Sequence, residues 1–134
     1  MNIANLEERK ELMAWNLDAD KPIYTQLVEI IQTQIISGRY QPGDRLPSVR
    51  ELAAEASVNP NTMQKAFVEL ERNGLIVTQR TSGRTVTEDI ELINQTQGYL
   101  AEEYIKNFFQ VMKDIGYSRQ EIITLIEKAA QGEE

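Results

Sequence analysis

The spacing of apolar positions changes twice along the chain, and each change marks an element. After Pro22, apolar side chains fall at Ile23, Tyr24, Leu27, Ile30, Ile31 and Ile35, with Gln34 in the same row and Ile36 closing the run. Steps of three and four put them on one helical stripe. Pro22 suits a helix start, where an N–H is not needed, and Ser37-Gly38 suits the stop. Arg39-Tyr-Gln-Pro42-Gly43-Asp44 predicts a turn, and Arg45-Leu46-Pro47 a short extended connection. Ser48-Val-Arg-Glu51 is a capping box that opens a second helix near Val49, with Leu52, Ala53 and Ala56 on its inner face. Ser57-Val58 is the expected turn. Asn59-Pro60 then supplies a cap and a proline at the first helical position, and Met63, Ala66, Phe67 and Leu70 form the inward stripe of a third helix stopped by Asn73-Gly74.

At Leu75 the helical period ends. Leu75–Gln79 and Thr85–Thr87 have strand composition, and Arg80-Thr-Ser-Gly83-Arg84 between them predicts a hairpin turn. Two short helices joined by a tight turn and followed by a hairpin make a winged helix-turn-helix. The three-to-four spacing returns at Ile93, Gln97, Leu100, Tyr104, Phe108, Val111 and Ile115, with Ala101, Ile105, Phe109 and Met112 on an adjacent row. That face is wider than one partner helix requires. Gly116-Tyr117 ends it, and Ser118-Arg-Gln-Glu121 is a second capping box, opening a helix with Ile122, Ile123, Leu125, Ile126 and Ala129 apolar. The expected fold is therefore mainly α with a small β-hairpin. It divides into an N-terminal extension (1–20), a winged helix-turn-helix (21–87) and a helical dimerisation segment (88–134). Residues 1–11 are polar with little periodicity, fitting a short helix or a disordered tail. Met13 is an alternative start, checked by whether a chain beginning there keeps full binding.

Composition narrows the chemistry. The 134 residues contain no cysteine and no histidine, which removes disulfides, thiolate metal sites and the commonest general base. Carboxylates remain, but neighbours such as Glu102 and Glu103 point about 100° apart on a helix and cannot form a catalytic pair. No enzyme activity, cofactor or metal is expected. No run approaches the roughly 18 apolar residues of a membrane span, and residues 1–20 lack the apolar centre of a signal peptide, so a cytoplasmic protein is expected.

The net charge of −7 argues against nucleic acid until it is divided. Residues 1–20 hold two basic and five acidic side chains, residues 21–87 eight and six, and residues 88–134 four and ten. Only the central segment is net positive. An excess of two predicts weak nonspecific binding and reliance on specific contacts.

The chain resembles the GntR family of bacterial transcription regulators through Pro42-Gly43-Asp44-Arg45-Leu46-Pro47-Ser48, Arg50-Glu51-Leu52-Ala53, Val58-Asn59-Pro60-Asn61-Thr62, Lys65-Ala66, Leu70-Glu71 and Gly74-Leu75-Ile76. Pro22-Ile-Tyr24 at the first helix, and the short segment after the wing, are similar to the YtrA subfamily. The resemblance implies a homodimeric repressor, commonly of operons encoding ABC transporters and often of its own gene. Arg50 corresponds to an arginine with which the family contacts DNA. Thr81 and Thr85 depart from the family's usual glycine and aromatic in the wing, Ser57 stands where glycine is frequent, and relatives carry arginines in place of Pro60 and Gln64.

The expected contacts follow from geometry. The N-terminal end of the third helix enters the major groove, with Asn61, Gln64, Lys65 and Val68 opposite the buried stripe. Asn61 and Gln64 pair a donor with an acceptor, as adenine's N6 and N7 require, which predicts at least one A·T pair read in each half-site. Ser48 and Thr62 are placed for phosphates, Lys65 and Arg45 add backbone charge, and Arg80 or Arg84 reaches a phosphate or the minor groove from the wing. Dimerisation is expected through Leu100, Tyr104, Ile105, Phe108, Phe109 and Met112 of one helix and Ile122 and Ile126 of the next, giving the two-fold symmetry of an inverted-repeat operator. Plainer roles compete: Ser48 and Asn59 as caps, Arg50 paired with Glu55, the wing arginines as solubilising groups, and the wide apolar face as an internal cover. Tyr99, Tyr104 and Tyr117 are either core or the lining of a small effector pocket, whose ligand would act by reorienting the 88–93 connection. The alternative to DNA binding is a winged helix that serves only as a protein-interaction module.

Overall fold

The computed structural model describes residues 15–81 and 83–132. Its elements are α1 (Ile23–Ile36), α2 (Val49–Ala56), α3 (Pro60–Arg72), β1 (Ile76–Gln79), β2 (Gly83–Val86), α4 (Ile90–Asp114) and α5 (Arg119–Gly132). They fall into two compact units divided between Asn94 and Gln95. The winged helix-turn-helix is thus present with the expected element order, mainly α with one antiparallel hairpin. No helix among the described residues is long and apolar enough to cross a membrane.

In the first unit the predicted stripes meet. Leu27, Ile31 and Ile35 of α1, Leu52, Ala53 and Ala56 of α2, and Met63, Ala66, Phe67 and Leu70 of α3 form one core, closed by Leu46, Leu75, Ile76, Val86 and Ile93. Burying side chains of this size contributes about 1.5–3 kcal/mol each, so the core, and not helix propensity, holds helices as short as α2. Gln34 shares the stripe and is buried, with its Oε1 unpartnered among the described residues.

Local chemistry sets the helix-turn-helix angle. Ser48 Oγ accepts from the Glu51 N–H at 3.1 Å and Glu51 Oε1 accepts from the Ser48 N–H at 3.4 Å, the predicted capping box. Ser57 ends α2 in the left-handed region at φ 57°, where its N–H donates to the Ala53 and Ala54 carbonyls. The Asn59 side chain then accepts from the Asn61 N–H at 2.8 Å, with Pro60 at the first helical position. Gly74 stops α3 at φ 81°, a conformation that favours glycine; a Cβ there would also stand 3.1 Å from Leu92 Cδ2, which would have to shift by a few tenths of an ångström.

Three boundaries differ from the sequence expectation. Gly83 and Arg84, expected in the turn, are strand residues paired with Gln79 and Thr78. The reason lies on the other edge of β2, where the connection before α2 adds a third, short line of pairing: the Leu46 N–H donates to the Arg84 carbonyl at 2.9 Å, the Val86 N–H to Asp44 at 2.8 Å, and Arg45 bridges Thr85. The packed core reaches back beyond residue 21, because Trp15 and Leu17 lie against it. Gln26 fastens this leading segment, accepting from the Asp18 N–H and donating to the Asp18 carbonyl, both at 2.8 Å. Finally, the 88–93 connection is helical from Ile90. Asp89 Oδ1 caps it by accepting from the Leu92 N–H, and Ile93 is buried.

The second unit is a helical hairpin. Gly116 at φ 104° turns the chain after α4, and the Tyr117 N–H donates to the Met112 carbonyl. Ser118 and Glu121 form the predicted second capping box at 3.0 and 3.2 Å, and hydrogen bonding of the Glu121 carboxyl to the Ser118 N–H first, then to the Ser118 side chain, holds it below its usual range. Ile122 is fully enclosed, while Tyr104, Ile105, Phe108, Val111, Leu125 and Ile126 are exposed.

Candidate nucleic-acid interface

On α3, burial alternates with the helical repeat. Met63, Ala66, Phe67 and Leu70 face the core, so Asn61, Gln64, Lys65 and Val68, offset by about 100° per residue, share the exposed face. Among them only Val68 is apolar; it is 46% exposed. Such a face presents hydrogen-bonding groups of both kinds and one methyl-bearing surface, the set that base edges in a major groove require.

Beside this face lies an open concavity of about 760 Å³ between α3, the first turn of α2 and the hairpin. Gln64, Arg45, Ser48, Arg50 and Arg84 line it. Five sequence-predicted residues from α2, α3, β2 and the connection before α2 thus converge, although Arg45 and Arg84 lie far apart in the chain. Ser48 keeps its hydroxyl hydrogen for an outside acceptor while its oxygen caps α2. Arg50 is exposed, and among the described residues it makes no ion pair; Glu55, its proposed alternative partner, instead accepts from Trp15 Nε1 at 3.2 Å. Tyr40, which the sequence did not single out, also lines the hollow. Burial pushes its phenol above the ordinary range; Arg39 partly opposes this and Glu55 adds to it, so the group remains a donor at neutral pH.

The remaining predicted residues lie elsewhere. Thr62 borders a separate groove with Trp15, Leu17 and Asn59, on the side where the leading segment packs. Arg80 is exposed at the hairpin tip. Arg84 differs from it: the guanidinium donates to Glu71 Oε1 at 2.6 Å and stacks 5.2 Å from the centre of the Phe67 ring. Its charge is already matched by a half-buried carboxylate, so this arginine braces the hairpin against α3. Lys65 has an uncharged partner, its Nζ standing 4.0 Å from the centre of the Tyr24 ring. Neither pairing was legible in sequence, since each joins residues of different elements that only the packed fold brings together.

The description "Bacterial regulatory proteins, gntR family" fits residues 23–86. Over 114 residues the chain is 35% identical to the uncharacterized HTH-type transcriptional regulator YhcF of Bacillus subtilis (strain 168), spanning 85% of this chain and 94% of that protein. It is 47% identical over 68 residues to the HTH-type transcriptional repressor YtrA of the same organism, a match covering 51% of this chain and 52% of that one. Among solved structures, a GntR family transcriptional regulator from Listeria monocytogenes superposes with a TM-score of 0.78 at 42% identity, covering 84% of this chain and 98% of the other.

Proposed function

The chain belongs to the gntR family of bacterial regulatory proteins, a transcriptional regulator with a DNA-binding winged helix-turn-helix, and from that premise we propose that it is a homodimeric repressor of an inverted-repeat operator. The observation that carries the proposal is the exposed α3 face of Asn61, Gln64, Lys65 and Val68 beside a hollow lined by Arg45, Ser48 and Arg50. In this reading Gln64 and Asn61 read bases, Val68 meets a thymine methyl, and Arg45, Arg50, Ser48, Lys65 and Arg80 hold phosphates. Thr62, on the neighbouring groove, serves the backbone at the other edge of α3. Arg84 acts indirectly, through the wing it braces.

Repression is supported by the name of the YtrA relative, which is a transcriptional repressor. Dimerisation is supported by the second unit, where Tyr104 and Phe108 are 60% and 42% exposed and Ile105 and Ile126 lie open beside Leu100, Phe109 and Met112, which are half-buried. Ile122 has no surface left to offer a second chain and serves inside its own hairpin. Titration of the protein with duplex DNA from its own promoter at increasing salt tests the function. We expect binding at low salt, with log K falling linearly against log salt at a slope of about 0.9 per phosphate contacted. Absence of binding at low salt would favour the protein-interaction module instead.

A further inference from the structure

Of the basic side chains of the first unit that have a partner, some are held by carboxylates and others by aromatic rings. Arg84 is matched by Glu71 at 2.6 Å and Arg72 by Glu69 at 2.9 Å. A phosphate approaching either must compete with a carboxylate already in place. Lys65 is held by the Tyr24 ring at 4.0 Å, and among the described residues it makes no ion pair. An aromatic face orients an ammonium group through its quadrupole without cancelling its charge. It also occupies only one side of the group, so N–H donors on the other side stay available.

Resting on the reading of α3 as the DNA-recognition helix, we propose that Tyr24 is a positioning residue for DNA binding: its ring holds the Lys65 ammonium, unmatched by a carboxylate among the described residues, at the exposed face that carries Asn61 and Gln64. A free lysine gives up rotamer freedom when it is fixed on a phosphate. Tyr24 removes part of that loss before the DNA arrives, which is preorganisation. The position of Tyr24 gives it this reach: it lies in the first turn of α1, and its half-buried ring presents a face to α3.

The test is a double-mutant cycle with Tyr24→Leu and Lys65→Met, read on promoter DNA across a salt series, with Tyr24→Phe as the conservative control. In the wild-type background Tyr24→Leu should weaken binding about two- to fivefold, the range of an exposed cation–π contact. In the Lys65→Met background it should have no further effect. Tyr24→Phe should restore most of the loss, and Lys65→Met should reduce the salt slope by about 1. Nuclear magnetic resonance of the free protein supplies a readout independent of DNA: the Lys65 ε-methylene protons should be shifted upfield by the ring, and Tyr24→Leu should abolish that shift. Additive effects of the two substitutions, tighter binding by Tyr24→Leu, or unshifted Lys65 resonances each overturn the proposal. If the wild-type protein leaves DNA unbound while the ring shift is present, the regulatory reading fails and the contact stands.

Discussion

Among the described residues, Ser57 is the one non-glycine residue that a turn holds at positive φ. A φ of 57° costs a non-glycine residue roughly 1–2 kcal/mol, and glycine's greater unfolded freedom offsets about half of that. Ser57→Gly should therefore raise stability by about 0.5–1 kcal/mol, seen as a higher urea midpoint with an unchanged m-value; a lower midpoint would show that the hydroxyl contributes more than the backbone loses. At this scale the sequence was most legible where chemistry is local. Ser48 with Glu51, Asn59 with Pro60, and Ser118 with Glu121 announce helix starts because each cap is completed within four residues. Trp15 with Glu55, forty residues away, carries no such local signal.

The hairpin shows the limit one level up. Its strands were visible as β-branched runs, but its register was not, because the pairing of Asp44 to Leu46 along β2 extends that strand to Gly83. That extension also changes what the two wing arginines do. Arg84 leaves the turn, enters the strand and meets Glu71, while Arg80 stays at the tip. The two should separate experimentally. Arg84→Ala should lower unfolding stability by about 1–2 kcal/mol through loss of a charged hydrogen bond and its contact with Phe67. Arg80→Ala should leave stability unchanged and reduce the salt slope of DNA binding by about 1. Equal effects of both on the slope would place Arg84 on the DNA and undo the distinction. The connection to α4 is a similar case: Asp89 caps the helix by accepting from the Leu92 N–H, a contact that the spacing of apolar residues does not show, so the helix begins at Ile90, ahead of the first apolar repeat at Ile93.

For the whole molecule, the broad apolar face of α4 was evident from its spacing, and the residues predicted there are largely exposed within one chain. What the sequence alone did not separate was Ile122, which has the same composition and spacing as its neighbours but is spent inside the hairpin. In a C₂ dimer each interface change counts twice. Phe108→Glu, removing about 1.5–3 kcal/mol of apolar burial per subunit before its charge is counted, should weaken the dimer at least a hundredfold and yield monomer by sedimentation at micromolar concentration. A Phe108→Glu protein that remains dimeric would move the interface elsewhere. The central claim, that two copies of α3 read an inverted repeat, is tested most directly by selecting bound duplexes from a random DNA library with the wild-type protein and with Gln64→Ala. The account predicts a two-fold symmetric consensus with an A·T pair in each half-site, and loss of preference at one position per half-site in Gln64→Ala. A consensus without two-fold symmetry, or the same consensus from both proteins at uniformly lower affinity for the variant, would contradict it.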